Sequence, residues 1–233
     1  MRHDRRAMFS RRKKVVDPVN TAELARVGHA VQARLGADPS AYRLPVDGLD
    51  IYAIGQFFTP AERERLIVTV DEVARPSPTY YGGSGDSGRT SFTGDVDPWD
   101  PFILMLERRI DDLLGIDPDF GETIQGQRYT PGQQFQEHYD HFNIKHKYWQ
   151  DEQKRGGQRS WTAMAYLNDV EEGGSTDFPR VNLSVPPQAG ALLVWNNMTP
   201  EGLPNDKALH AGRPVVRGVK YVLTKWYRAR KWH

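Results

Sequence analysis

The chain contains no cysteine. A disulfide framework, a thiolate zinc site, an iron–sulfur cluster and a cysteine nucleophile are therefore excluded, and any metal must sit on His, Asp or Glu. Histidine is scarce, with 7 in 233 residues, so a metal site can be sought residue by residue. No run of about 18 or more apolar residues occurs, so no membrane-spanning helix and no membrane partner are expected. Charge of one sign is also lacking, the formal net charge being +1. That balance hides an asymmetry: residues 1–17 hold seven Lys/Arg against two Asp, a net of +5, which leaves about −4 on the rest. The basic stretch reads as a solvated arm. Ser10-Arg11-Arg12 faintly resembles a twin-arginine export signal, but Lys13, Lys14 and Asp17 follow where an apolar stretch is needed. The compartment expected is the cytoplasm.

What the chain has in excess is turn residues. Gly (21) and Pro (16) together make up about 16%, against about 12% on average, which favours short strands over long helices. The length suits one compact domain with extensions. Leu24, Val27, Val31 and Leu35 recur at helical spacing, so a helix is expected over residues 21–35, and residues 1–45 read as a basic arm plus this helix. Residues 38–47 read as a Pro-containing linker and residues 51–58 as a strand. Thr59-Pro60-Ala61-Glu62 carries the signature of a capping box, starting a helix that runs to about Ala74. Residues 75–93 read as a long loop with the Gly-rich stretch Tyr80-Tyr81-Gly82-Gly83; no phosphate-loop Lys-Ser/Thr follows it, so it reads as a lid or a surface loop. A further helix is expected over residues 100–114, with Phe102, Leu106, Ile110 and Leu113 on one face.

From Gly121 the pattern changes to short apolar or alternating runs, at residues 123–129, 135–142, 161–167, 182–185, 191–195, 207–216 and 219–226, punctuated by Gly and Pro. Regularly spaced short strands suggest a sandwich or barrel. Helices followed by a run of strands give a mainly β protein with flanking helices, an α+β jelly roll spanning residues 46–233.

Among the histidines, His3 and His233 are terminal and His29 lies on the first helix, whereas His138, His141 and His146 cluster and His210 stands alone. His138 and Asp140 are two residues apart, so on a strand they share a face. With His210 from a neighbouring strand they form two His and one carboxylate, the facial triad of non-haem Fe(II) oxygenases, which leaves metal positions open. The competing reading of a His-x-Asp pair is a structural hydrogen bond. His141 points to the opposite face if the strand stays regular. In the last strand Lys220, Thr224 and Trp226 share a face. A Lys buried there requires an anion and can pair with a carboxylate-bearing co-substrate; the competing reading is a solvent-facing strand residue.

Several ordered motifs resemble those of prolyl 4-hydroxylase-type Fe(II)/2-oxoglutarate-dependent dioxygenases. They are Arg128-Tyr129-Thr130-Pro131-Gly132 leading through Phe135 to His138-Tyr139-Asp140; Arg159-Ser160-Trp161-Thr162 followed by Tyr166-Leu167-Asn168-Asp169 and Gly173-Gly174-Ser175-Thr176-Asp177-Phe178-Pro179; His210-Ala211-Gly212-Arg213-Pro214-Val215; and Gly218-Val219-Lys220 with Lys225-Trp226. The likeness covers about residues 48–228 and includes Arg89-Thr90-Ser91. It implies a double-stranded β-helix holding Fe(II) through His138, Asp140 and His210. It implies 2-oxoglutarate as co-substrate, gripped at its distal carboxylate by Lys220 with a hydrogen bond from Tyr129. O2 is then activated, 2-oxoglutarate decarboxylated to succinate, and a substrate hydroxylated, with ascorbate (vitamin C) keeping the iron reduced. Asp140 favours hydroxylation over halogenation, which needs that position free for halide. The likeness assigns Phe135, Arg159 and Trp226 to a peptide groove, although Phe135 departs from the family's usual Tyr; Tyr81 belongs to a loop able to close over substrate. A prolyl residue in a peptide or protein is the expected substrate. A free amino acid or other small molecule is the alternative within the same chemistry, and a non-catalytic metal-binding jelly roll the alternative outside it. Nucleic acid is not an expected partner, because the repair oxygenases of this chemistry anchor 2-oxoglutarate with Arg where Lys220 stands. Nothing in the residues specifies the oligomeric state.

Overall fold

In chain order the elements of the computed structural model, which describes residues 20–77 and 88–233, are α1 (Thr21–Ala37), β1 (Ala41–Arg43), β2 (Ile51–Ile54), α2 (Pro60–Val73), β3 (Arg75–Pro76), β4 (Phe92–Asp95), α3 (Pro101–Leu114), β5 (Gln125–Tyr129), β6 (Phe135–His138), α4 (Trp149–Lys154), β7 (Arg159–Tyr166), β8 (Glu172–Gly173), β9 (Thr176–Phe178), β10 (Leu183–Val185), β11 (Leu192–Asn196), β12 (His210–Gly212), β13 (Val215–Arg217) and β14 (Lys220–Arg228). The long strands β7 and β14 pair antiparallel at the centre of an eight-stranded sheet in the order β1-β2-β11-β7-β14-β5-β4-β3. A four-stranded sheet in the order β10-β9-β12-β6 and the pair β13-β8 complete the β structure. This is the expected jelly roll with helices outside it. No helix among the described residues is long and apolar enough to cross a membrane.

Two apolar clusters follow from the two-residue alternation of the central strands. Trp161, Ala163 and Ala165 of β7, with Leu223 and Tyr227 of β14, point outward and join Val27, Val31 and Leu35 of α1, Leu66 and Val70 of α2, and Leu106 and Ile110 of α3. Met164 and Tyr166 of β7, with Val222 of β14 and Tyr129 of β5, point inward and meet Phe178, Trp195 and Val215. Helix α2 lies close against the sheet because Gly94 and Gly126 stand beneath it. A Cβ at Gly94 would come within 2.3 Å of the Val73 carbonyl, and one at Gly126 within 2.7 Å of Val70.

The local expectations meet the structure in different ways. Thr59 forms the capping box: its side chain accepts from the Glu62 amide, and the Glu62 carboxylate accepts from the Thr59 amide. Helix α3 buries Ile103, Leu106, Ile110 and Leu114, so its core stripe is rotated from the expected one and leaves Phe102 and Leu113 at the margin. Residues 41–43, expected as linker, pair with β2, and residues 92–95, which begin inside the expected loop 75–93, pair with β5. Both are short edge or near-edge segments without an apolar alternation of their own. The expected strand over 207–216 is two strands, because Arg213-Pro214 interrupts the ladder. The lid expectation for Tyr80 and Tyr81 falls outside the described residues.

Replacing Thr59 by Ala removes one side of the capping box. The expected loss is about 1 kcal/mol of stability, read as a lower urea midpoint at unchanged m-value.

Candidate metal centre and co-substrate pocket

β6 ends on His138 and β12 begins on His210, and the two are register partners across the antiparallel pair. Pairing therefore sets the imidazoles side by side, with ring centroids 4.2 Å apart. Asp140 lies just past the end of β6 and turns its carboxylate to both rings, 3.8 Å from His138 Nε2 and 3.7 Å from His210 Nε2. These distances are too long for hydrogen bonds, so the structural His–Asp hydrogen bond is not made. The three ligand atoms lie within 4.8 Å of one another.

The protons are arranged for a metal. His138 Nδ1 meets the Gln136 carbonyl at 2.8 Å, and His210 Nδ1 meets the Ala208 carbonyl at 2.9 Å. A carbonyl only accepts, so each Nδ1 carries a proton and each Nε2 is the nitrogen turned toward Asp140. Burial, aided by the neighbouring His210, pushes the His138 pKa down to about 3, which keeps that ring neutral. Burial acts to raise Asp140, but His210, His138, Arg159 and the Thr162 hydrogen bond outweigh it and hold the carboxyl below its usual range. The Thr162 hydroxyl donates to Asp140 Oδ2 at 2.7 Å and accepts from Asn197 Nδ2 at 2.9 Å. Two imidazoles with Nε2 turned to one point and an oriented carboxylate fit a divalent ion that takes N and O donors, with its remaining positions open.

The cavity that holds the triad, about 40 Å³, is also lined by Lys220, Thr176 and Tyr129. Lys220 is 3% exposed. Its Nζ reaches Thr176 Oγ1 at 3.4 Å, and among the described residues no carboxylate lies within ion-pair distance of it. Desolvation lowers its pKa to about 7, against a partial pull upward from Asp177. An unpaired ammonium walled in beside a metal triad fits a ligand that carries a carboxylate. The Tyr129 hydroxyl donates to Gln127 Oε1 at 2.8 Å. Phe135 stacks on His138 with ring centroids 3.6 Å apart.

A wider cavity of about 620 Å³ adjoins this one and shares Phe135, His138, Asp140 and Trp226 with it. Arg159 lines it, sandwiched between Trp226 (4.0 Å to the ring centroid) and Phe142 (4.9 Å). Its Nε and Nη2 donate to Glu122 at 2.6 and 2.7 Å, which leaves Nη1 without a hydrogen bond among the described residues. Glu122 also pairs with Arg228. His141, expected on the opposite face, lines the same cavity as Asp140, because β6 stops at His138 and the strand alternation stops with it.

The structure thus gathers His138, Asp140, His210, Tyr129, Lys220, Phe135 and Trp226 around one pocket and places Arg159 beside it. Tyr81 lies outside the described residues. Sequence reasoning did not single out Thr162, Thr176, Gln127 and Asn197. The first three carry a readable signal, a polar residue on the inward phase of a strand; Asn197 carries none, because its partner Thr162 is 35 residues away.

Residues 124–228 match the model of the 2OG-Fe(II) oxygenase superfamily. Prolyl 4-hydroxylase 5 of Arabidopsis thaliana is 34% identical over 200 residues, covering 73% of this chain and 65% of that protein. Probable prolyl 4-hydroxylase 3 of the same plant is 38% identical over 146 residues, covering 54% of this chain and 49% of that protein. The chain therefore spans less than two-thirds of the length of either curated relative. Among solved structures, the viral collagen prolyl hydroxylase vCPH from Paramecium Bursaria Chlorella virus-1, in a 2OG complex, superimposes with a TM-score of 0.61 at 25% identity, covering 79% of this chain and 99% of that one.

Two outcomes are expected from the geometry. Lys220→Met removes a buried charge with no counter-ion, so the ligand-free variant should melt above wild type near pH 7. Because the folded-state pKa of Lys220 lies below its ordinary 10.5, the unfolded chain holds that proton more tightly. Wild-type stability should accordingly rise from about pH 7 towards 10.5 and the gap should close, as differential scanning calorimetry across that range will show. Thr162→Val leaves Asp140 without its orienting donor. A roughly 10- to 100-fold loss of Mn(II) or Fe(II) affinity is expected by titration calorimetry.

Proposed function

We propose that this chain, a member of the 2OG-Fe(II) oxygenase superfamily through its residues 124–228, is an Fe(II)- and 2-oxoglutarate-dependent hydroxylase acting on a prolyl residue of a peptide or protein. One observation carries the reading: a buried ammonium with no counter-ion among the described residues and a two-His, one-carboxylate triad line the same cavity. A metal ion and an acid bearing two carboxylates complete each other there. His138, Asp140 and His210 would hold Fe(II), and Lys220 with Thr176 would hold the distal carboxylate of 2-oxoglutarate.

When bound, Fe(II) and 2-oxoglutarate supply activation of O2, with 2-oxoglutarate leaving as succinate and CO2. The chain's own residues bind, orient and exclude water. The carbonyls of Gln136 and Ala208 keep the protons of both imidazoles on Nδ1. Thr162 and Asn197 fix the carboxylate. Phe135 and Trp226 stand where the pocket meets the wider cavity and shield it from solvent. Arg159, held by Glu122 and by two aromatic faces, keeps Nη1 to donate to a substrate carbonyl. The peptide substrate is supported by the relatives' names, prolyl 4-hydroxylase and collagen prolyl hydroxylase. Ascorbate as reductant rests on the family likeness alone.

The test is incubation with Fe(II), 2-oxoglutarate, ascorbate and Pro-containing peptides. The expected result is succinate formed one-for-one with peptide that gains a single oxygen by mass spectrometry, and no turnover above background for Asp140→Ala. Oxygen gain on free proline and on no peptide would transfer the assignment to a small-molecule substrate. A folded protein that binds Fe(II) but forms no succinate would return it to a non-catalytic module.

A further inference from the structure

Resting on the reading of this cavity as a 2-oxoglutarate site, one wall of it carries an unabsorbed feature: a chain of three buried polar side chains. The Tyr129 hydroxyl donates to Gln127 Oε1 at 2.8 Å, and Gln127 Nε2 donates to Thr224 Oγ1 at 3.0 Å. All three residues are buried and line the cavity that holds Lys220 and the triad. They come from adjacent strands: Gln127 and Tyr129 share the inner face of β5, and Thr224 shares the inner face of β14 with Lys220.

A carboxamide has one accepting and one donating end, and the two are nearly equal in size. Wedged between two hydroxyls, Gln127 can accept a proton from one of them and must donate to the other. In the arrangement present, Tyr129 is the donor to Gln127, so its proton is committed and Thr224 keeps its own. A half-turn of the carboxamide exchanges the roles: Thr224 donates to Oε1, Nε2 donates to Tyr129, and the Tyr129 proton is released towards the cavity. In both arrangements each end of the carboxamide and each hydroxyl oxygen has a partner and one hydroxyl proton is left over, that of Thr224 before the turn and that of Tyr129 after it, so the two differ little in cost until a ligand accepts the Tyr129 proton.

We infer that Gln127 is a hydrogen-bond relay that turns over when the co-substrate binds, so that Tyr129 donates to the bound carboxylate while Thr224 takes its place on Gln127. Gln127 and Thr224 are then positioning residues: they act through Tyr129 and need not touch the ligand. The relay makes Tyr129 a stronger partner than an isolated phenol, because a hydroxyl that accepts one hydrogen bond donates the next more strongly.

A double-mutant cycle tests this, with 2-oxoglutarate affinity measured by titration calorimetry in the presence of Mn(II), a readout independent of turnover. Without the Thr224 hydroxyl either arrangement leaves one end of the Gln127 carboxamide unpaired, and the present one keeps the stronger bond, phenol hydroxyl to amide oxygen, so Tyr129 stays committed to Gln127. Thr224→Val should therefore weaken 2-oxoglutarate binding roughly fivefold in the wild-type background and not at all in the Tyr129→Phe background. Thr224→Ser, which keeps the hydroxyl, should bind as wild type does. The same cycle with Thr224→Ala separates the hydroxyl from any packing defect of Val. An equal loss in both backgrounds would mean that Thr224 touches the ligand directly and would overturn the relay, as would unchanged affinity in Thr224→Val. A wild-type protein that binds Mn(II) but no 2-oxoglutarate would overturn the functional reading and the relay with it; a wild type that binds it, with a cycle showing no coupling, would overturn the relay alone.

Discussion

Neighbouring residues on a β-strand face opposite ways, and the last strand of this protein places two incompatible environments on its two sides. Tyr221, Leu223, Lys225 and Tyr227 turn towards the helices; Lys220, Val222, Thr224 and Trp226 turn towards the space between the sheets. A slip of one residue would turn Lys220 towards α2 and pull Leu223 into the polar pocket, so the register of β14 against β5 and β7 is specified from both faces. Everything in the candidate site depends on that register.

The two lysines of this strand show what the faces do. Lys225, on the helix side, is buried with Glu107 at 3.4 Å and Asp111 at 3.3 Å, so its charge is balanced by the protein. Lys220, on the inner side, is as deeply buried and, among the described residues, has a threonine hydroxyl and the faces of Tyr129 and Tyr166 near it but no carboxylate within ion-pair distance. A fold that neutralises one buried ammonium and leaves the other bare has kept the second for a ligand. The same division runs through the arginines. Arg228 forms an ion pair with Glu122 and spends its hydrogen bonds on Glu152 and the Gly157 carbonyl, whereas Arg159 gives two nitrogens to Glu122 and keeps the third beside the wider cavity. Glu122, buried between the two guanidiniums, is held below the usual carboxylate range, because their charges overcome the burial that acts to raise it. The wall of the cavity is thereby rigid where it needs support and unsatisfied where it meets a ligand.

Legibility followed the range of the interactions. The capping box at Thr59 and the helices around it were readable because their hydrogen bonds and apolar stripe lie within four residues of one another. The strands that carry the site were readable from their alternation, and His138, Asp140, His210 and Lys220 from residue type and spacing. Strand β4 was not readable, since Phe92-Thr93-Gly94-Asp95 has little apolar alternation and becomes a strand by pairing with β5. The face of His141 was not readable for the complementary reason. Its alternation presumed a strand that continues, and β6 ends at His138.

The sequence by itself determined the donor set, since a chain without thiols offers only histidines and carboxylates, and it determined the phase that puts Lys220, Thr224 and Trp226 on one face. Only the tertiary structure decided which carbonyl receives each imidazole proton, that Thr162 and Asn197 close on Asp140, and that Gln127 bridges Tyr129 and Thr224. The reason is physical. Alternation and residue type are properties of the chain taken a few residues at a time, whereas a hydrogen bond is short and directional and joins whichever groups the packed sheets bring within about 3 Å, here residues up to 97 positions apart.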